Sequence, residues 1–397
     1  MSTSAIPALL GLHGAARRSL VAAGALRAPL TLARAQVSSR ATALGPDEAS
    51  VGIFAADTPR FRGAARRLLV EGQRSNEIAD PLDFTAASGW TVLGTGTGSA
   101  PVITPAFGGI PAPDGSFTAT RLQLDKGAGT LSTDRSGLSR TTTLNAARFL
   151  WARTVSGTAT VQIGTSSVTP AVQSALDTTW RRFGNVDGGG VHRVMLLGGG
   201  SGNSQSADLL VWGASSEAGA TFPSSLILPP AGSPQASTRG ADLLSAALAA
   251  LGIGANGACT ILWSGLFPQQ TIGYTAVILQ VDVGSNATRW YLDSRAGDAM
   301  PRLVNSAGGL SNLSIPTAGV PFRLGLALDG TGRGAASMNG DAALVQTGGP
   351  ASGLTTLRLG SSATAASNLF AETTVLQVLP FALGDAALAA AVAALPA

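Results

Sequence analysis

Short segments in which apolar and polar residues alternate are the feature that most constrains how this chain can fold. The clearest covers residues 322–329, where Phe and Leu occupy every second position and Arg, Gly, Ala and Asp lie between them. Successive side chains of a β-strand point to opposite faces, so this pattern predicts a strand with one face in a core. Similar segments, separated by Gly, Ser, Asp and Asn, predict further strands at residues 118–124, 148–155, 158–163, 180–186, 192–197, 208–212, 260–267, 275–283, 288–293, 302–304, 354–359 and 373–379.

The composition fits many short strands joined by tight turns. The 397 residues include 51 glycines, and Gly readily adopts the positive φ angles that hairpin turns require. Asp329-Gly330 and Asn339-Gly340 are turn signals of this kind. Regular short strands with such spacers are typical of antiparallel sandwiches. The sequence therefore predicts an all-β fold: two tandem antiparallel β-sandwich (jelly-roll) domains preceded by a short N-terminal anchoring arm.

A proline-rich segment at residues 227–234 marks the expected domain boundary. Pro cannot donate a hydrogen bond to a sheet, so three prolines in this segment predict a linker. We therefore expect an arm at residues 1–45, a first sandwich at residues 46–230 and a second sandwich at residues 231–397.

Three helices are expected besides the strands. A short amphipathic helix is predicted at residues 15–26 and another helix at residues 241–251. The Ala-rich stretch after Asp385 is predicted to be a closing helix, because an acidic residue stabilises the unpaired amides of a helix N-terminus. The arm could not form a core by itself, and we expect it to dock on a partner protein rather than to be a cleaved leader.

Charge and cysteine usage argue against several function classes. The chain has 26 basic and 22 acidic residues. Its arginine pairs, at residues 17–18, 66–67 and 181–182, are scattered, whereas nucleic-acid binding uses a clustered basic face. Cys259, the single cysteine, cannot form an intrachain disulfide and is interpreted as a small buried residue entering a strand. No stretch approaches the ~18 consecutive apolar residues of a membrane span. We expect neither nucleic-acid binding nor membrane insertion.

The sequence lacks the motifs of catalysis. The two histidines, His13 and His192, are interpreted as an arm residue and a partly exposed strand residue. Residues 252–257 match Gly-x-Gly-x-x-Gly, but a predicted helix precedes them and a strand follows, which reverses the order of a dinucleotide site and favours a turn. No motif pairs two carboxylates for glycoside hydrolysis. We expect a non-catalytic protein without a cofactor.

Four oxygen-bearing residues fall within one strand–loop–strand region, and Ca²⁺ requires several oxygen ligands. They are Asp282, Asn286, Asp293 and Asp298. Acids that cap turns are the alternative interpretation. We assign no metal site to these residues, and calcium binding by the second sandwich stays open.

Aromatic rings beside planar polar side chains are the residue types that bind sugars, and one pair of rings stands out. Most of the six tryptophans lie in predicted strands, where a buried ring is the ordinary case. Trp290 and Tyr291 are adjacent in a predicted strand, so their rings point to opposite faces and one is expected to face outward. The predicted carbohydrate-binding residues are Trp290, Tyr291, Arg289, Asp293, Arg295 and, from a loop-like context, Trp90.

Four short stretches share a pattern with a known protein family. Residues 58–61 read Thr-Pro-Arg-Phe, and residues 67–76 read Arg-Leu-Leu-Val-Glu-Gly-Gln-Arg-Ser-Asn. Residues 212–225 run from Trp-Gly-Ala to Phe-Pro-Ser-Ser, and residues 238–242 read Thr-Arg-Gly-Ala-Asp. These stretches resemble phage tail, fibre and spike proteins that carry a carbohydrate-binding jelly roll. The family's pattern is not met at Ser215-Ser216 or at residues 226–227.

The C-terminal part is similar to concanavalin A/laminin-G-like domains of phage proteins, through residues 322–330, 338–340 and 376–388. The resemblances cover residues 50–397. They imply a carbohydrate-binding-module-like jelly roll followed by a concanavalin-like β-sandwich. They also imply a spike or fibre on the surface of a bacteriophage or gene-transfer-agent virion, made in the bacterial cytoplasm, that mediates receptor binding and host adhesion.

The expected partners are a host cell-surface glycan and, through residues 1–45, other virion proteins. Repeated display would raise weak single-site affinities through multivalency, so a homo-oligomer is expected, with a trimer favoured. Two other functions stay open. One is a purely structural decoration protein of the particle, and the other is a capsule-degrading glycanase.

Overall fold

Strands dominate the fold, which is known from a computed structural model. The structure describes residues 17–34, 39–164, 173–199, 202–269 and 274–396. Their strands pair antiparallel. The described helical elements are 3-10 turns at Ala86–Ser88 and Ala249–Leu251 and the α-helix α1 (Asp385–Ala393). The predicted all-β fold is confirmed.

The chain divides into two compact units and enters each of them more than once. Unit 1 contains Met1–Ala35, Ala56–Gln73 and Gly240–Ala397, and unit 2 contains Gln36–Ala55 and Arg74–Arg239. This division differs from the expected boundaries at residues 45 and 230, because early segments of the chain pair with strands near its C-terminus. Residues 1–16 of the predicted arm, with His13, lie outside the described residues.

Unit 1 contains two sheets. Its strands are β1 (Arg18–Ala22), β2 (Ala25–Leu26), β3 (Thr31–Ala33), β6 (Phe61–Arg62), β7 (Arg67–Val70), β21 (Leu243–Ala247), β22 (Cys259–Leu266), β23 (Ala276–Asp282), β24 (Arg289–Ser294), β25 (Pro301–Asn305), β26 (Leu310–Asn312), β27 (Phe322–Leu328), β28 (Gly334–Met338), β29 (Leu344–Gln346), β30 (Thr356–Leu359) and β31 (Ala371–Leu379). Sheet I has the order β2-β1-β31-β22-β27-β28-β29, with β7 paired to β31 and β6 to β7. Sheet II has the order β26-β25-β24-β23-β30-β21-β3.

The inner faces of sheets I and II share one hydrophobic core, which makes unit 1 a β-sandwich. Phe322 and Leu324 of β27 enter this core from sheet I, and Leu279 and Leu292 enter it from sheet II. Each fully buried side chain of this kind stabilises the fold by about 1.5–3 kcal/mol. The alternation at residues 322–329 therefore marks the core face of a strand, as predicted.

The outer face of sheet I is covered by α1. Leu388 and Val392 of the helix pack in one cluster with Leu262 of β22. Gly325 lies beneath the helix, where a Cβ atom would come within 2.4 Å of Val392. The helix can approach this closely only because residue 325 has no side chain. The predicted closing helix is confirmed, with Asp385 in its first turn.

Unit 2 is built from the remaining strands. They are β4 (Arg40–Leu44), β5 (Val51–Phe54), β8 (Arg74–Asn76), β9 (Thr91–Thr95), β10 (Val102–Thr104), β11 (Thr120–Asp125), β12 (Arg135–Thr141), β13 (Ala146–Thr154), β14 (Ala159–Ile163), β15 (Gln173–Leu176), β16 (Arg181–Asp187), β17 (Val191–Leu197), β18 (Ser206–Ala218), β19 (Ile227–Leu228) and β20 (Ser237–Arg239). Sheet III has the order β10-β11-β18-β13-β16, and sheet IV has the order β15-β14-β17-β12-β9. A small sheet V has the order β19-β4-β5, and β20 pairs with β8.

Sheets III and IV form a second sandwich. Leu150 and Val211 from sheet III share a core with Val161 and Val194 from sheet IV. On the other side of sheet III, a further cluster joins its tryptophans and leucines to residues of sheet V. The cluster contains Val51, Ala112, Ala119, Trp151, Trp180, Leu210, Trp212, Leu226 and Leu228.

Three local predictions are corrected by strand pairing. In the segment predicted as a helix at residues 15–26, β1 and β2 form a hairpin with Ala23 and Gly24 at φ of 49° and 71°, and β1 pairs with β31. A short isolated helix is marginal in water, whereas the sheet edge supplies partners for the backbone. Residues 241–251 form β21 and a 3-10 turn. Residues 227–234 begin with β19, which pairs with β4 inside unit 2.

Two predicted turns are confirmed. Asn339 and Gly340 have φ of 53° and 93° in the turn after β28. Residues 252–257 form turns between the second 3-10 turn and β22, with Gly252 and Gly257 at positive φ. The Gly-x-Gly-x-x-Gly match is therefore a pair of turns that precede a strand.

Three residues of the stretches that carry the family resemblance form a buried ion network in unit 1 together with Arg34. Arg60 donates to Glu71 at 2.7 Å and to Asp242 at 2.6 Å, and Asp242 also pairs with Arg34 Nε at 2.6 Å. All four side chains are at most 1% exposed. Two positive and two negative charges are thus buried together. The sequence pattern at these positions encodes the interior of unit 1.

A second group of these residues is buried in unit 2. Glu217 accepts hydrogen bonds from the backbone amide of Ser224, and nitrogens of Arg74 and Arg182 lie 3.9 Å from its carboxylate. Burial raises the pKa of Glu217, and the charge of Arg182, the hydrogen bonds of Ser224 and the charge of Arg239 oppose that effect. This part of the pattern also specifies interior contacts.

Candidate functional site

The outer face of sheet II is covered by none of the hydrophobic clusters found among the described residues of unit 1. Strand register defines the side chains on it, because directly opposite residues share a face. Gln280 lies opposite Tyr291 on one side and Arg358 on the other. Tyr291 lies opposite Val304, which lies opposite Leu310. These five residues form a row across five neighbouring strands.

Two shorter rows flank this one. Asp282 lies opposite Arg289 and Thr356, and Asp293 lies opposite Arg302. Alternate positions along a strand share a face, so these side chains lie on the same side as the first row. We call the surface the polar face. It consists of Gln280, Asp282, Arg289, Tyr291, Asp293, Arg302, Val304, Leu310, Thr356 and Arg358.

Tyr291 and Arg289 form the centre of the polar face. The guanidinium carbon of Arg289 lies 4.2 Å from the centre of the Tyr291 ring, which is a cation–π contact. Nη1 of Arg289 also donates to Gln280 Oε1 at 2.9 Å. Both residues remain partly exposed. Burial raises the pKa of Tyr291, so its hydroxyl stays protonated near neutral pH. The guanidinium of Arg289 therefore lies over one face of the Tyr291 ring, and the phenol hydroxyl is the second polar group of the pair.

A buried polar layer holds this pair in place. Nε2 of Gln280 donates to Asp282 at 2.8 Å and to Asn286 at 3.0 Å. Asp282 also accepts from Arg358 Nε at 2.7 Å. Gln280 and Asp282 are fully buried. Because each is held by several bonds, the acceptor that orients Arg289 is itself fixed.

Asp293 and Arg302 close one side of the polar face. Arg302 donates to both carboxylate oxygens of Asp293, at 2.8 and 2.7 Å. Burial raises the pKa of Asp293, while the hydrogen bonds and charge of Arg302 act in the opposite direction. The guanidinium of Arg302 and the carboxylate of Asp293 therefore form a planar bidentate contact, which fixes the geometry of both side chains.

Trp290 and Arg295, both predicted as sugar ligands, lie outside this surface, and the burial of Trp290 corrects its prediction. The indole of Trp290 is 1% exposed, and its Nε1 donates to the carbonyl of Pro350 at 3.1 Å. A Cβ atom at Gly334 or Gly349 would come within 3 Å of this ring, so glycines make the space that it fills. Arg295 lies in the turn after β24, where it pairs with Asp298. Of the adjacent rings, Tyr291 is the one that faces outward.

Trp90 is also buried, in unit 2 and not in a loop at the surface. It is 2% exposed and stacks on Phe84 with ring centres 5.1 Å apart. Its other neighbour is His192, at 5.6 Å. His192 is fully buried, although the sequence predicted partial exposure. Trp90 therefore stabilises the core and offers no ring to a sugar.

The residues considered for calcium already have other partners. Asp282 pairs with Arg358, Asp293 with Arg302 and Asp298 with Arg295, and Asn286 accepts from Gln280 and from the amide of Ala363. In the described parts of the chain, no group of three His, Cys, Asp or Glu side chains could hold a metal.

Cys259 is buried at the start of β22, as predicted, and burial raises the pKa of its thiol to about 12.

Several residues of the polar face were missed from the sequence. Gln280, Arg302 and Arg358 lie on strands separated by loops, and only the register brings them beside Tyr291.

Unit 2 also has a groove of about 370 Å³, which was not predicted from the sequence. Its polar lining includes Gln123, Thr154, Ser156, Thr158, Ser206 and Asp208. None of the described residues that line the groove is aromatic. Among the residues described, no helix is both long and apolar enough to cross a membrane.

Comparisons with known proteins give similarity at the level of single domains. No family model matches the chain, and no curated protein matches it. A CBM40 domain of the Ruminococcus gnavus IT-sialidase, solved with alpha2,3 sialyllactose, is 16% identical, and the match covers 34% of this chain and 82% of that one, with a TM-score of 0.28.

Two other solved structures have similar scores. Domain 4 of AbnA, a GH43 extracellular arabinanase from Geobacillus stearothermophilus solved with arabinotriose, is 16% identical, covering 38% of this chain and 73% of that one, with a TM-score of 0.30. The sialidase of Trypanosoma rangeli is 13% identical, covering 34% and 22%, with a TM-score of 0.29. The similar structures include carbohydrate-binding domains of the β-sandwich type.

Proposed function

We propose that unit 1 binds a glycan on the polar face, and that the chain is an adhesion protein on the surface of a phage-like virion. The observation that carries the first part is the arrangement around Tyr291. A partly exposed ring lies on a sheet face that no hydrophobic cluster of the described residues covers, beside Arg289 and Gln280.

The chemistry of this arrangement suits a sugar ring. The flat face of an aromatic side chain packs against the apolar C–H face of a pyranose, and its polar edge remains available for hydrogen bonds. Arg289 supplies hydrogen-bond donors for sugar hydroxyls, and the buried Gln280 holds it in position. Leu310, which is 49% exposed, extends the apolar part of the row beyond Val304. The ordered layer under Tyr291 means that little side-chain entropy is lost on binding.

Binding in this proposal involves no catalysis. Glycoside hydrolysis uses one carboxyl group as an acid and a second as a base or nucleophile. The carboxylates of the polar face, Asp282 and Asp293, are each engaged by an arginine, Arg358 and Arg302. Two carboxylates held in ion pairs are poorly suited to exchange protons with a substrate.

The virion role rests on the sequence resemblance to phage fibre and spike proteins. Arg60, Glu71 and Asp242 of those stretches meet in one ion network, so the resemblance extends to residues that are buried in the interior of unit 1. Many copies on a particle would convert weak single-site binding into firm attachment. We propose a homo-oligomer, in which other virion proteins hold residues near the N-terminus and the polar face meets the host polysaccharide.

Binding to a printed glycan array and to host capsular polysaccharide tests the first part. We expect Tyr291→Ala to weaken binding about tenfold or more, because a central aromatic contact usually contributes over 1–2 kcal/mol. Tyr274→Ala is the matched control, since Tyr274 is the other tyrosine and is 38% exposed. Absence of binding to every glycan, or equal binding by the two variants, would contradict the proposal.

The virion role has a separate test. Particles that carry the chain with a small tag are imaged, and attachment to host cells is compared with particles that lack the chain. We expect the tag at the particle surface and reduced attachment without the chain. Normal attachment by the deleted particles would point instead to a purely structural decoration protein.

A further inference from the structure

The charges of the polar face do not balance. Its positive residues are Arg289, Arg302 and Arg358, and its negative residues are Asp282 and Asp293. Asp282 pairs with Arg358, and Asp293 pairs with Arg302 in a bidentate contact. Arg289 is in none of the ion pairs formed by the described residues. Among the described residues of the face, positive charges therefore exceed negative charges by one, and Arg289 is the arginine without an ion-pair partner.

Arg289 is nevertheless held in one orientation. Its guanidinium stacks on Tyr291 at 4.2 Å, and Nη1 donates to the fully buried Gln280. Its Nε is buried and has no hydrogen-bond partner among the described residues. A solvated surface arginine would need none of these constraints, because its charge would be satisfied by water. Here the protein fixes the plane of the guanidinium without neutralising it.

We propose that Arg289 receives the carboxylate of an acidic sugar, so that the ligand of the polar face is a carboxylate-bearing glycan such as a polyuronate. This inference rests on the proposed glycan-binding function. The planar guanidinium can bind both oxygens of a carboxylate with two parallel N–H···O bonds. Tyr291 lies beside it and would pack against the ring that carries the carboxylate.

The neighbouring pairs make this choice specific. Arg302 and Arg358 are already bound to aspartates, so an incoming carboxylate meets one available cation instead of three. With two of its three arginines paired, the face therefore favours one carboxylate per sugar, presented to Arg289 beside Tyr291.

The test is a glycan array in which each carboxylated glycan is printed beside its methyl ester, together with neutral and sulfated glycans. The methyl ester removes the charge and keeps the sugar. We expect the intact protein to bind at least one acid about tenfold or more better than its ester, since a charge-assisted hydrogen bond is stronger than a neutral one. In Arg289→Gln this ratio should fall close to one, and Arg289→Lys should retain part of it. Increasing salt should weaken binding of the acid and leave the ester unchanged.

Arg18→Gln is the control, because it removes one charge from an exposed arginine on β1 of sheet I. It should keep the full ratio of acid to ester, and unchanged thermal unfolding of each variant verifies its fold. Equal binding of acids and esters, lost in Tyr291→Ala, would overturn this inference and leave the glycan-binding function intact. Binding of sulfated glycans alone would also overturn it. Binding to no glycan would overturn both.

Discussion

Asp242→Asn would remove one charge from the buried ion network of unit 1 while keeping the size of the side chain. Asp242 accepts from Arg34 Nε and Arg60 Nη2, both at 2.6 Å, and from the backbone amide of Glu71 at 2.9 Å. The substitution leaves two arginines opposite one carboxylate in an interior that water does not reach. Removing one partner of a buried ion pair typically costs about 3–5 kcal/mol, because the remaining charge has lost its compensation.

Urea unfolding measures this loss, and native-state hydrogen exchange of β7 and β21 assigns it to unit 1. With a denaturant slope of about 1–3 kcal/mol per molar, the expected loss lowers the midpoint by about 2 M. The matched control is Asp208→Asn in unit 2, which breaks a bidentate contact with Arg121 at 2.8 and 2.6 Å whose side chains are 33% and 28% exposed. Exposed pairs contribute little, so the control should unfold nearly as the unmodified chain does. Equal effects of the two substitutions would refute the argument that burial decides the energy of these pairs.

Two further predictions concern burial in each unit. Burial lowers the pKa of His192 from 6.5 to about 3, so between these values the unfolded imidazole binds a proton that the folded one does not. Unit 2 should therefore lose stability as pH falls through this window, by up to about 1.4 kcal/mol per pH unit, and urea titrations should find a smaller acid loss in His192→Leu. Gly325→Ala should destabilise unit 1 by about 1–3 kcal/mol in thermal unfolding, because the new Cβ would meet Val392 at 2.4 Å. Gly108→Ala, with open space around its Cβ position, should be neutral, and equal losses in the two would contradict the packing argument.

Strands could be predicted from the sequence because their signal is local. The segment predicted at residues 322–329 is β27, and the segment predicted at residues 192–197 lies within β17. The predictions that were wrong also have a physical explanation. The hairpin of β1 and β2 has no strong local pattern and is stabilised by pairing with β31, which lies at the far end of the chain. Pairing between segments this far apart is not visible in the pattern of a short stretch of sequence. The domain boundaries therefore could not be predicted.

The candidate site, like the fold, could be predicted from the sequence only in part. Arg289, Tyr291 and Asp293 could be predicted as one group, because alternate residues of a single strand share a face. The same rule states that Trp290 and Tyr291 face opposite ways, but it does not say which of them faces outward. That choice depends on Gly334 and Gly349, which leave room for the indole inside the core and lie on later segments of the chain. A larger residue at either position would close the space for Trp290. The outward position of Tyr291, and with it the glycan-binding surface, therefore depends on two glycines that never contact the ligand.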